Sequence, residues 1–174
     1  AVRACNAVLL DALARLRRTR PALKLLVIGK LREESDTHNR IEALGLADAV
    51  RFRSGLSRDA LVECYARATL AVVPSLYEGF GLPAGEAMSC GVPVVSTRGG
   101  ALAEVVGDAG SLVPPGDAKA LARAIDVLLE DPARRTGLAA RGRARVLEHF
   151  SWQVAALRMS AYYEDMLDRE APQA

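Results

Sequence analysis

The stretch "PSLYEGFGLPAGEAMSCGVPVV", residues 74–95, joins two short apolar runs through a glycine-rich loop and a helical segment, and sets Glu78 and Glu86 within that passage. The flanking runs, "LAVVPS" (70–75) and "VPVVST" (92–97), are β-branched and continuous rather than alternating, which is how buried parallel strands read. Strand, loop, helix and strand in that order form the repeat of a parallel sheet covered by helices on both faces. The pattern extends in both directions. "KLLVIG" (24–29), "AVRF" (49–52) and "SLVP" (111–114) are further short apolar runs bounded by Gly, Pro or Ser. Between and after them lie helical patterns. "AVLLDALARLRR" (7–18) repeats apolar residues at helical spacing, while "SRDALVECYARA" (57–68) and "DAKALARAIDVLLE" (117–130) begin on Ser and Asp caps. "DPARRTGLAARGRARVLEHF" (131–150) opens with an Asp cap and Pro at the first helical position, and "SWQVAALRMSAYYEDML" (151–167) opens with a Ser cap. The expected fold is α/β, a parallel sheet with helices on both faces.

Composition narrows the partners. At 174 residues and 51% hydrophobic, the chain can bury one full core. Its 23 Lys and Arg against 21 Asp and Glu lack the strong basic field of a nucleic-acid binder, which leaves room for a small anionic ligand. Cys5, Cys64 and Cys90 are too few and too scattered for a disulfide framework or zinc knuckle, and are expected to be reduced core thiols of a cytoplasmic protein. No apolar run approaches the roughly 20 residues that span a bilayer. The first residue is not Met, so the sequence is expected to be a piece of a longer polypeptide. The Arg-rich run 134–145 reads as a solvated helical face. His38 reads as a loop or helix-start residue and His149 as a helix C-terminal residue. With no paired His, Cys-x-x-Cys or Asp-x-Asp, no metal is expected.

The glycine-rich loop lies at the carboxyl end of a strand, the edge where open α/β sheets bind ligands. Gly79 and Gly81 let backbone approach a ligand, and the free N–H groups of the helix entered near Pro83 suit phosphate oxygens or sugar hydroxyls. Glu78 has two oxygens that accept from neighbouring hydroxyls, as on a pyranose. Glu86 lies one helical turn deeper, where a ribose diol is a fitting partner. Taken singly, either glutamate reads as an ordinary loop or dipole-stabilising charge.

Together with their surroundings they read differently. E-G-F-G-L-P-x-x-E-A-M-x-x-G-x-P-V-V resembles the E-x7-E signature of the retaining family-4 glycosyltransferases, enzymes of the GT-B fold with two facing Rossmann-like domains. The resemblance continues through "VSTRGGALAEVVGDAGSLVPPGD", "HFSW", "PALKLLVIG" and "VRFRSGLSRDALVECYARATLAVVPS", and so covers nearly the whole chain. It implies a donor-binding half of an enzyme that moves a sugar from a nucleotide-sugar to an acceptor hydroxyl with retention, without metal or other cofactor. By the same resemblance Glu78 is the catalytic-site carboxylate on the donor sugar, and the backbone of Phe80, Gly81 and Leu82 contacts sugar and distal phosphate. Glu86 binds the ribose, and Arg53 and Leu56 wall the nucleobase, although Ser54 and Gly55 depart from the family's usual order. Gly85 replaces a bulkier family residue, and Gly99, Gly100 and Glu104 resemble an element that shapes the neighbouring loop. Residues 1–150 are expected to form a nucleotide-sugar-binding domain lacking its first strand, with a gap between "KLLVIG" and "LAVVPS". Residues 151–174 would be a helix crossing back to an N-terminal acceptor domain outside this sequence, which together with the missing strand's loop would carry the catalytic histidine and a basic pair. The implied location is cytoplasmic or peripheral at the inner face of a membrane; the acceptor is a glycan, lipid or small molecule. A binding-only nucleotide-sugar module is the alternative. A dinucleotide site at Gly79, Gly81 and Gly85 is disfavoured, since that fingerprint follows the first strand of its unit.

Overall fold

The computed structural model describes residues 2–32 and 35–170. Five parallel strands alternate with helices: α1 (Val2–Arg17), β1 (Leu25–Ile28), α2 (Asp36–Ala43), β2 (Val50–Arg53), α3 (Arg58–Ala66), β3 (Ala71–Val73), α4 (Leu82–Ser89), β4 (Val94–Thr97), α5 (Leu102–Val106), β5 (Ser111–Val113), α6 (Ala118–Glu130), α7 (Pro132–His149) and α8 (Trp152–Glu170). The α/β class read from the sequence is present. α2 and α5 are helices that the apolar spacing did not announce.

The sheet is in two parts. β1 pairs with β2, with Leu25 opposite Val50, and β3, β4 and β5 form a separate three-stranded sheet in that order. Among the described residues no strand joins β1 to β3, which is the interruption expected between "KLLVIG" and "LAVVPS". β4 is central to its sheet and buried along its whole length, so its Ser96 and Thr97 need internal partners. Their hydroxyls donate to the carbonyls of Val73 and Ser75.

α1 joins the two parts because apolar residues occupy two adjacent stripes of its surface. Leu10 and Leu13 pack with Ile41, Leu46, Ala49 and Val50 beside β1 and β2. Leu9, Ala12 and Leu16 pack with Val95, Val113, Leu121, Ile125 and Leu128 of β4, β5 and α6. A third cluster lies on the other face of the three-stranded sheet, where Val73 and Val94 meet Ala84, Ala87 and Met88 of α4 and Leu102, Val105 and Val106 of α5.

The helix starts follow local chemistry. The side chains of Ser57, Asp117, Asp131 and Ser151 each accept a hydrogen bond from the N–H three residues on, at 3.2, 2.8, 2.8 and 3.3 Å. The Arg-rich face of α7 is not merely solvated, and here the sequence reading is corrected. Arg135 donates to the carbonyls of Leu128 and Leu129, Arg141 to Asp108, and Arg145 to Val105 and Glu104, so three guanidiniums satisfy carbonyls at the ends of neighbouring turns. Cys64 and Cys90 are free thiols but half-buried rather than in the core, while the side chain of Cys5 lies outside the described residues. α8 is exposed along most of its length, with Trp152 90% and Leu157 71% accessible; residues 171–174 of the expected C-terminal segment lie outside the described residues.

Candidate functional site

The loop from Ser75 to Gly81 leaves the carboxyl end of β3 and is pinned from beneath by the turn after β4. The Ala101 N–H donates to the Glu78 carbonyl at 3.0 Å. Gly99 and Gly100 lie so close that a Cβ on Gly99 would stand 2.5 Å from the Leu76 carbonyl oxygen, and one on Gly100 would run into the Glu78 backbone. Only glycine permits this approach, and Gly100 also has a left-handed φ of 62°. The Gly-Gly pair that the sequence comparison assigned to shaping the loop therefore sets the height of the Glu78 backbone.

Glu78 is half-buried, and Ser75 Oγ donates to its Oε2 at 3.0 Å. One carboxylate oxygen is thereby held by a neutral donor, and the other is left to accept hydrogen bonds from outside. At Gly81 the backbone turns left-handed (φ 90°, ψ 37°) and becomes the N-cap of α4 without any side-chain cap. Pro83 supplies no N–H in the first turn, and the Ala84 and Gly85 N–H groups both turn back to the Gly81 carbonyl at 3.0 and 3.2 Å. Among the described residues, nothing accepts from the N–H groups of Phe80, Gly81 and Leu82. Unused donors beside the positive end of a helix form an anion-binding corner.

Glu86 lies one turn further along α4 and is exposed. Tyr65 on α3 reaches it, its hydroxyl 3.2 Å from Glu86 Oε2 and 3.4 Å from the Pro83 carbonyl oxygen. Burial, and then the nearby Glu86 charge, push the Tyr65 phenol well above its ordinary pKa. Arg53 and Leu56 follow β2, and Arg53 Nη1 lies 3.6 Å from Cys64 Sγ, one residue before Tyr65. The structure thus gathers Glu78, Phe80, Gly81, Leu82 and Glu86 around one loop and helix start, and ties Arg53 to that group through consecutive residues of α3. Ser75, Tyr65 and Thr97 are site-supporting residues that sequence reading missed. A Ser three residues before Glu78 was a local signal, whereas Tyr65 is 21 residues from Glu86 and carried none.

Phe80 anchors the outer edge of the loop. Its ring, half exposed, meets Phe150 edge-on at 6.0 Å and 88°, and Arg145 lies 5.9 Å over the Phe150 ring. Two grooves of about 400 and 420 Å³ run along α1 and α2, lined by Ala7, Thr37 and Arg40 and by Ala14, Arg17 and Gly45, away from both glutamates. Among the described residues, no group of three His, Cys, Asp or Glu side chains is arranged to hold a metal ion.

A glycine-rich loop and helix start at the carboxyl edge of a parallel α/β sheet define the class, and the comparisons give the family. The family model for glycosyl transferases group 1 matches residues 7–145, and the chain belongs to that family as a C-terminal domain of the GT-B fold. It is 44% identical over 166 residues to MMP alpha-(1->4)-mannosyltransferase of Mycolicibacterium hassiacum, covering 94% of this chain and 40% of that protein. Among solved structures it resembles sucrose-phosphate synthase from Thermosynechococcus elongatus at TM-score 0.78 and 36% identity, over 93% of this chain and 43% of that one. It also resembles Anabaena Alr3699/HepE in complex with UDP and glucose, at TM-score 0.78 and 29% identity, over 90% and 44% of the two chains. The chain thus spans about two fifths of the length of such relatives.

Proposed function

We propose that this chain is the donor-binding half of a retaining glycosyltransferase that transfers a sugar from a nucleotide-sugar to an acceptor hydroxyl without metal. The observation that carries the reading is the α4 N-terminus, with three unused backbone donors between two carboxylates. Phosphate oxygens fit the donors, and a sugar on one side and a ribose on the other fit Glu78 and Glu86. The UDP and glucose bound in the Anabaena neighbour support a donor of this class.

In this assignment Glu78, fixed through Ser75, accepts from hydroxyls of the transferred sugar, and its charge favours the positive charge that develops on the ring. The N–H groups of Phe80, Gly81 and Leu82 stabilise the departing diphosphate as its negative charge grows. The leaving phosphate then accepts the acceptor proton on the same face of the sugar, which preserves the configuration. Glu86 holds the ribose and Arg53 and Leu56 flank the base; neither contact changes during transfer. A strand and loop before α1 would bring a basic pair against the diphosphate, an N-terminal acceptor domain would face the site, and α8 would cross onto that domain with the Trp152 and Leu157 face. This chain alone would then be inactive. The free Cys64 and Cys90 suit a cytoplasmic location, and no helix among the described residues is long and apolar enough to cross a membrane.

The test uses the full-length polypeptide with its donor. Glu78→Gln keeps the size but loses charge, removing a bond worth roughly 1.5–3 kcal/mol in the transition state, so kcat should fall about ten- to a hundredfold. Glu86→Gln should raise the donor KM with kcat nearly unchanged. Activity should survive EDTA. Wild-type kinetics in both folded variants would remove the site, and tight donor binding without any turnover would favour a binding-only module.

A further inference from the structure

Tyr65 has a place in the site that neither the motif nor the loop explains. Glu86 stands exposed on a short helix, and a glutamate there has three rotatable bonds that a ligand would otherwise have to freeze. Tyr65 restricts them from a different element, with its hydroxyl 3.2 Å from Oε2. A phenol has one hydrogen, and of its two neighbours the carboxylate is both the nearer and the stronger acceptor, ahead of the Pro83 carbonyl at 3.4 Å. The Tyr65 ring itself is steadied by packing beside Ala71 and Cys90 against the cluster under α4.

We propose that Tyr65 is a positioning residue of the donor site: it holds Oε2 of Glu86 so that the remaining lone pairs of the carboxylate face the ribose hydroxyls before a donor arrives. This rests on the reading of Glu86 as the ribose contact. An ionised carboxylate offers about four lone-pair positions. Tyr65 takes one and leaves enough for both hydroxyls of the diol. The raised pKa of the phenol keeps it a donor across the working pH range. A second contact places α3 on the same duty, since Cys64, the residue before, touches the Arg53 guanidinium at 3.6 Å. Successive residues on a helix diverge by about 100°, so one helix face reaches β2 and the next reaches α4. α3 has no buried residue of its own.

The alternative role for Tyr65 is a strut between α3 and α4 that supports the fold alone. Tyr65→Phe separates the two, because the ring and its packing stay and only the hydroxyl goes. The full-length polypeptide should be titrated calorimetrically with UDP, GDP and ADP, each beside its 2′,3′-dideoxy counterpart, in wild type, Tyr65→Phe, Glu86→Gln and the double variant. For whichever ribonucleotide binds, Tyr65→Phe should weaken affinity roughly three- to tenfold, while affinity for the dideoxy form and the melting temperature stay as in wild type. The double variant should bind no worse than Glu86→Gln, since the tyrosine acts through that carboxylate. Equal losses for ribo and dideoxy forms, losses that multiply in the double variant, or wild-type affinity in Tyr65→Phe alone would overturn the proposal and leave the ribose reading intact. Wild-type affinity in Glu86→Gln, or no binding of any of the three nucleotides, would overturn both.

Discussion

The three-stranded sheet and the β1–β2 ribbon are held in different ways, and the candidate site straddles them. β3, β4 and β5 lie between buried apolar clusters, with Val94, Leu102, Val106, Leu121 and Leu128 all at 0% exposure. The ribbon has such a cluster on one face only; on the other, Leu26 and Ile28 are 41% and 46% exposed. Beside that apolar cluster, surface ion pairs tie its ends down: Arg17 of α1 and Lys24 before β1 both meet Asp48 before β2. Glu78 and the α4 N-terminus sit on the sheet covered on both faces, and Arg53 and Leu56 on the ribbon covered on one. The part proposed to meet sugar and phosphate therefore stands on a close-packed base, while the part proposed to meet the nucleobase stands on a looser one.

The sharpest way to break this comparison is at Gly100. An alanine there needs a left-handed φ and pushes its Cβ into the Glu78 backbone, so strain and overpacking add. Gly100→Ala should cost roughly 3–5 kcal/mol in urea unfolding, near the limit of single substitutions. Gly79→Ala, with open space around its Cβ, should leave the fold within about 0.5 kcal/mol of wild type. If the two variants unfold alike, the Glu78 loop is not resting on the turn after β4.

A smaller effect separates the two halves directly. Leu128→Ala should destabilise by roughly 3 kcal/mol, because Leu128 is fully enclosed and the cavity cannot collapse onto solvent. Leu26→Ala on the open face of β1 should change stability by less than about 0.5 kcal/mol in the same urea titration. A large loss at Leu26 would mean that the ribbon is packed on both faces, contrary to its exposure here.

What could be read from sequence differed by kind of element. All five strands could be read, because continuous β-branched runs between Gly, Pro and Ser have few other uses. Four helix starts were readable because a capping side chain lies three residues from its donor. α2 was missed because its eight residues, "DTHNRIEA", bury only Ile41, too little for a periodic signal. The arginine contacts of α7 were invisible for another reason: Arg141 and Arg145 meet carbonyls 33, 40 and 41 residues away, and nothing local distinguishes a guanidinium that reaches a turn from one in water. Within the candidate site, the loop was legible as a motif, but the residues that hold it in place were not. Thr97 reads as the last position of a strand, and only the fold shows its hydroxyl meeting the Ser75 carbonyl.

The smallest predicted effect lies in the charged links of the ribbon. Asp48 receives hydrogen bonds from Arg17 at 3.0 and 2.9 Å and from Lys24 at 3.2 Å. The Arg17 bonds first, then the Lys24 bond, hold its carboxyl down from 3.8 to about 2. A carboxyl with a folded pKa below its unfolded one stabilises the fold above the unfolded value, and that contribution is lost as pH falls through the folded one. The window is therefore from about pH 4 down to about pH 2. Because Asp48 is exposed, the gain is small and screened by salt. It should show as a local rather than a global change. Relative to intrinsic exchange at each pH, protection of the β1 and β2 amides should fall over that window in low salt more than protection of β3 to β5, and Asp48→Asn should flatten the difference. A parallel loss of protection in all five strands, unchanged by Asp48→Asn, would mean that the ribbon and the larger sheet open as one unit and that their different attachments have no separate consequence.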